Sequence, residues 1–207
     1  MQTKEQNEQT STQKQTAKKW LSRLMFSRML EEKNAAKKIA YIALMTAFCV
    51  VANMLEIKLG SVQFSLTILI SGLTGMVIGG GAGFCACFLG DLIGFFLHPF
   101  GEYSPFIGIS TGLMALFIGW AFYLFEQPQK GIYLKLGVAC LLIFIVCTCG
   151  ITTLYLNLVW KKSMTFWKYL PFRLFVEGQI YNSLVNSVLV VLGLPALSKL
   201  KILKILP

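Results

Sequence analysis

The chain has 207 residues, 56% hydrophobic and 14% charged, with a mean hydropathy of +0.66 and a net charge of +10. This composition excludes a soluble core-and-surface domain, because too few polar residues remain to cover one. The basic excess lies mainly before Ala40, where it suits anionic lipid, and it is not read as nucleic-acid binding.

Residues 1–19 are rich in Gln, Thr, Ser and Lys, have no apolar residue between Met1 and Ala17, and bury too little surface to fold. No apolar stretch of a cleavable signal stands near the start. Trp20, Leu21, Leu24, Met25, Phe26, Met29 and Leu30 recur at about helical spacing among Lys and Arg. That pattern suits either an amphipathic helix on the membrane face or a helical extension of the first span.

From Ala40 to Leu200, apolar stretches follow one another with short polar breaks. Each is about 20 residues long, which at about 1.5 Å per residue matches the ~30 Å hydrocarbon core of a bilayer. The expected fold is an all-α integral membrane protein with six transmembrane helices: Ala36–Leu55, Val62–Gly80, Ala82–Leu97, Pro105–Phe125, Ile132–Trp160 and Phe172–Leu194. The expected organisation is a cytoplasmic tail over 1–35, a membrane domain over 36–200 and a C-terminal tail over 201–207. Gly79, Gly80, Gly81 and Gly83 mark a tight turn between the second and third spans.

An even number of crossings puts both termini on one side. Fourteen of the nineteen Lys and Arg residues fall there, against Lys58, Lys161, Lys162, Lys168 and Arg173 on the other, so both termini are expected in the cytoplasm.

The six cysteines lie in apolar stretches, and their C-x-C spacings read as small hydrophobes rather than a zinc, redox or disulfide framework. The single histidine, His98, has no second ligand at metal spacing, so no metal and no cofactor are expected. An intramembrane enzyme using Asp91 with His98 or Glu177 is a rival reading. No G-x-x-x-x-G-K-[ST] loop is present, so energy for any transport is expected from another subunit or an ion gradient.

Asp91, in Gly90-Asp-Leu-Ile-Gly94, is an intramembrane acid that either hydrogen-bonds a neighbouring helix or contacts a solute. Between the last two spans, lysines and Arg173 interleave with Trp160, Phe166, Trp167, Tyr169 and Phe172, suiting interfacial anchoring or capture of an anionic aromatic solute. Pro171 is expected to start the sixth helix with Arg173 in its mouth, paired with Glu177 one turn on. Gln179, Asn182, Ser183, Asn186 and Ser187 then form a polar stripe that must face protein or water rather than lipid.

The stretch Ala40-Tyr-Ile-Ala43-Leu-Met-Thr-Ala47 resembles the small-residue face of substrate-binding S components of energy-coupling factor (ECF) vitamin transporters. Gly60-Ser-Val-Gln-Phe-Ser-Leu-Thr-Ile-Leu, Gly90-Asp-Leu-Ile-Gly94, His98-Pro-Phe-Gly-Glu-Tyr-Ser-Pro105 and Leu170-Pro-Phe-Arg173 resemble the folate branch. The resemblance covers about Lys37 to Leu194. It implies a multi-pass protein of the bacterial cytoplasmic membrane that binds one vitamin on the outer side and reorients to deliver it. It also implies a coupling transmembrane subunit docked on Ala43 and Ala47, with two cytoplasmic ATPases.

For folate, Phe64, Phe106, Tyr155 and Trp167 would supply a flat slot, Gln63, Asn182 and Asn186 the ring-edge contacts, and Arg173 or Lys161 the carboxylate contact. Pantothenate or a queuosine precursor are alternative ligands. An assembly subunit without ligand, its polar stripe filled by partner helices, is a third reading.

Overall fold

A computed structural model describes residues 22, 24–31, 33–54, 57–59, 62–99, 103–123, 131–159 and 162–198. Lys161, Trp160, the expected tail over 201–207 and the side chains of Gln63 and Phe64 lie outside the described residues.

Long apolar runs fold as helices here because a backbone in hydrocarbon must satisfy its own hydrogen bonds. The order is α1 (Arg28–Glu31), α2 (Ala35–Met54), β1 (Ile57–Leu59), β2 (Val62–Phe64), α3 (Thr67–Ile78), α4 (Gly80–Leu97) and α5 (Pro105–Tyr123). A 28-residue rod, Ile132–Val159, follows: α6 (Ile132–Leu142), a π-helical stretch Ile143–Thr152, and α7 (Thr153–Val159). α8 (Phe166–Pro171), a short π-helical stretch Phe172–Val176 and α9 (Gln179–Ser198) complete the described chain.

Among the described residues, five helices are long and apolar enough to cross a membrane: α2, α4, α5, the rod and α9. α3 is apolar but has 12 residues, about 18 Å at 1.5 Å per residue, well short of the hydrocarbon core. The expected second span began too early. Ser61-Val-Gln-Phe-Ser65 alternates apolar and polar residues, the period of a strand, and Val62–Phe64 pairs antiparallel with Ile57–Leu59 in the register Lys58↔Gln63.

The expected sixth helix also differs. Pro171 closes α8 rather than opening the last helix, and Gly178, at φ +71°, breaks the chain before α9 starts at Gln179. Positive φ is open to glycine at no steric cost, so the helix begins after it.

The core lies where α3, α4 and α5 meet. A Cβ on Gly75 would overlap the Ala115 carbonyl, and one on Gly119 would stand 2.6 Å from the Gly80 Cα. Backbones at such separation pack by dispersion, the force that joins helices within lipid. Around them Met76, Ile78, Ile118, Phe122, Leu136 and Leu194 are fully buried.

At one end of the bundle, the α3–α4 turn is the single residue Gly79 at φ +103°. Residues 24–31 cover it. The Ser27 N–H donates to the Ile78 carbonyl at 3.0 Å, the Ser27 hydroxyl to the Val77 carbonyl at 2.7 Å, and the Trp120 indole to the Leu24 carbonyl at 3.4 Å. The two Ser27 donors satisfy carbonyls that the end of α3 leaves without partners, and the Trp120 indole holds the covering segment in place. The described part of the segment expected as an amphipathic surface helix or an extension of the first span bends at Phe26 and buries Leu30 in the core. Its driving force is the need to cap α3.

Candidate functional site

The opposite end carries the β-hairpin and the buried amides of α9. On α9, Asn182 and Asn186 are one turn apart and 7% and 1% exposed. Asn182 Oδ1 accepts from the Ser65 N–H at 3.3 Å, while Asn186 Nδ2 donates to the Ser65 carbonyl at 2.8 Å and to the Asn182 carbonyl and Oδ1 at 2.9 and 3.0 Å. The exit of β2 is thus held on the last helix. Asn186 Oδ1 is buried with no donor among the described residues; leaving such an acceptor unsatisfied costs about 1–3 kcal/mol.

Arg173 points inward and is 5% exposed. Its Nη1 donates to Thr153 Oγ1 at 2.6 Å and to the Thr148 carbonyl at 3.3 Å, and its Nε stands 3.8 Å from Glu177 Oε2. The Tyr169 hydroxyl donates to Glu177 Oε1 at 3.5 Å. Burial, then the Glu177 charge, raises the Tyr169 phenol above its ordinary value. The expected Arg173–Glu177 pair forms, but Arg173 does not stand in the mouth of the last helix. It braces the π-helical stretch, where the Thr148 carbonyl also accepts from the Thr153 hydroxyl at 2.6 Å.

Phe106, at the start of α5, stacks on Tyr155 of α7 with ring centroids 5.6 Å apart and planes inclined by 27°. One turn along each helix, the Thr152 hydroxyl donates to Ser110 Oγ at 3.1 Å. Phe106 is 53% exposed, so the ring pair presents a face outward. Trp167 is 75% exposed and meets Phe166 edge-on, apart from that pair.

Asp91 accepts from Asn53 Nδ2 at 3.3 Å, joining α4 to α2. Tyr103 lies nearby: burial first, and then the Asp91 carboxylate, raises its phenol. A cleft of about 200 Å3, counted to include its open mouth, lies among α2 to α5 and is lined in part by Asn53, Thr67, Ser71 and Thr111. Ala43 and Ala47 are on the exposed face of α2, with Ile39, Leu44, Phe48 and Val51.

The structure thus joins Phe106 with Tyr155, and Asn182 with Asn186. It leaves Trp167 outside both groups and turns Arg173 inward. Ser65, Thr148, Thr153 and Asn53 were not singled out from sequence. Ser65 and Thr148 act through backbone atoms that no side-chain pattern reveals, whereas Asn53 was a polar residue at the end of an apolar run. Among the described residues, no three His, Cys, Asp or Glu side chains gather to hold a metal.

Residues 33–202 match the family model described as ECF-type riboflavin transporter, S component. Two solved structures share the fold. One, described as FolT bound with folic acid, has a TM-score of 0.65 and 20% identity, covering 80% of this chain and 96% of that one. The other, the S component of a bacterial ECF transporter, has a TM-score of 0.58 and 18% identity over 80% of this chain and 97% of that one. A search of curated proteins finds no match. With the family match running through most of its length, the chain belongs to the ECF-type riboflavin transporter S-component family: it is a multi-pass, substrate-binding membrane subunit of a transporter and not an enzyme.

Proposed function

We propose that the chain captures one flat heterocyclic vitamin at its hairpin end, with riboflavin as the substrate, for import by an ECF-type transporter. The observation that carries this reading is the Phe106–Tyr155 stack, with Phe106 half exposed, at the same end as a buried amide pair whose Asn186 oxygen has no partner among the described residues. A flavin ring offers two apolar faces for stacking and an imide edge of alternating acceptors and N–H, which suit aromatic rings and carboxamides. Riboflavin is neutral and needs no cation. That agrees with a guanidinium already bound to Thr148 and Thr153.

Folate is the second reading, favoured by the resemblance of residues 60–69, 90–94, 98–105 and 170–173 to the folate branch. Its pterin suits the same ring contacts, but its glutamate carboxylates require a cation. Lys162 and Lys168 are exposed in the same segment, and Lys161 adjoins them. In either reading Gln63 and Phe64, on the strand that enters Ser65, are proposed ring contacts.

Transport would follow by docking of a coupling transmembrane subunit on the Ala43 and Ala47 face, with ATP hydrolysed by two cytoplasmic ATPases. With both termini inside, and the short α3 returning the chain toward the inner face between α2 and α4, the hairpin end lies outside. Titration of the detergent-purified chain with riboflavin tests this. Flavin emission should quench to saturation at one ligand per chain, and Phe106→Ala or Tyr155→Ala should weaken binding about tenfold, the size of a lost aromatic contact. Saturation by folate with no riboflavin response would overturn the substrate and keep the class.

A further inference from the structure

Where α2 crosses α4, side chains meet in two rungs one helical turn apart. Cys49 faces Cys87 with sulfurs 3.4 Å apart, and Asn53 faces Asp91 at 3.3 Å. Glycines make the crossing close: a Cβ on Gly90 would stand 2.5 Å from the Cys49 Cβ, and one on Gly94 3.2 Å from the Asn53 Cβ. The helix contact itself therefore presses the two thiols together. They are 6% and 2% exposed, and Cys49 Sγ also lies 3.4 Å from the Thr74 hydroxyl.

Both sulfurs belong to residues lining the narrow cleft whose other walls include Asn53, Thr67, Ser71 and Thr111. A cleft this narrow leaves room beside the sulfurs only for a molecule about the size of water or hydrogen peroxide. The remaining cysteines are placed differently, Cys85 exposed on α4 and Cys140, Cys147 and Cys149 along the rod.

We propose that Cys49 and Cys87 form a reversible redox site, oxidised by hydrogen peroxide or a comparably small peroxide to a disulfide that staples α2 to α4. One thiol, as thiolate, attacks a peroxide oxygen; the O–O bond breaks, and the hydroxide released takes up the thiol proton as water. The neighbouring sulfur then attacks the sulfenic sulfur, and the hydroxyl leaves with the second thiol proton as a second water. Two thiols and one peroxide give one disulfide and two waters, with two electrons passing from the sulfurs to the peroxide. The sulfurs must close from 3.4 Å to about 2.05 Å, and the close crossing at Gly90 holds Cys49 against the helix that carries Cys87. The staple would tie the helix bearing Ala43 and Ala47 to the helix bearing Asp91.

The test uses the full chain purified in detergent under reductant, exposed to hydrogen peroxide, alkylated in denaturant, digested and mapped by mass spectrometry. The expected result is a Cys49–Cys87 linked peptide that exceeds every other pairing, is cleaved by dithiothreitol and is absent from Cys49→Ser and Cys87→Ser. Should either variant fail to fold, the linked peptide of the unaltered chain decides alone. Recovery of Cys49 and Cys87 as alkylated thiols, their conversion to sulfinic acids without a link, or links scattered among all six cysteines would overturn the proposal.

Discussion

Asn186 makes three hydrogen bonds from its amide nitrogen and none to its carbonyl oxygen. Truncation to Ala removes the tether on the Ser65 carbonyl, at an expected cost of about 1–2 kcal/mol in thermal unfolding. It should also weaken riboflavin binding about tenfold or more, as titration will show, because the unpartnered oxygen goes with it. Arg173→Ala leaves Glu177 without its cation and Thr153 Oγ1 without its guanidinium donor, while the Thr148 carbonyl keeps the Thr153 hydroxyl, a loss of about 3 kcal/mol for breaking a buried pair. If Arg173 serves to brace the rod, as we propose from its bonds to Thr148 and Thr153, the variant should weaken riboflavin and folate in equal proportion. A loss confined to folate in parallel titrations would assign the guanidinium to the carboxylate instead. At this scale the sequence revealed one side of each contact. The i, i+4 spacing disclosed Arg173 with Glu177, and the polar stripe disclosed Asn182 with Asn186. Their partners lie 121 residues away at Ser65 and in a π-helical register at Thr148, and neither long-range placement nor a π turn leaves a local pattern.

Elements were legible wherever apolar length alone decides, as in α2, α4, α5 and the rod. They were misplaced where a short signal competes with hydropathy. The period-two run at Val62–Phe64 became a strand, and Gly178 cut seven residues from the front of the expected last helix. The tight turn at Gly79 was visible as a glycine cluster, but the cover laid over it by Ser27 was not. Gly79→Ala combines a positive φ with overlap of the residue 26–27 backbone. It should destabilise the chain by about 2–3 kcal/mol in thermal melts, more than backbone strain alone would cost. Only a shift within about 0.5 kcal/mol, as for an ordinary surface change, would show that the cover is not seated on this turn.

Taken as a whole, the molecule separates two ends and one face. The hairpin end gathers aromatic rings and amides, the other end is sealed by residues 24–31, and α2 presents an exposed apolar face around Ala43 and Ala47. Ligand capture and docking should therefore be independent. Ala43→Trp and Ala47→Trp are expected to leave the riboflavin titration unchanged while abolishing co-purification of the coupling subunit; a loss of both together would contradict this separation. The measurement that bears most directly on the account is mass spectrometry of the small molecules retained by the detergent-purified chain, with equilibrium titration of the emptied protein. The account predicts riboflavin at one molecule per chain. A chain that retains no flat heterocycle and binds neither riboflavin nor folate would contradict it.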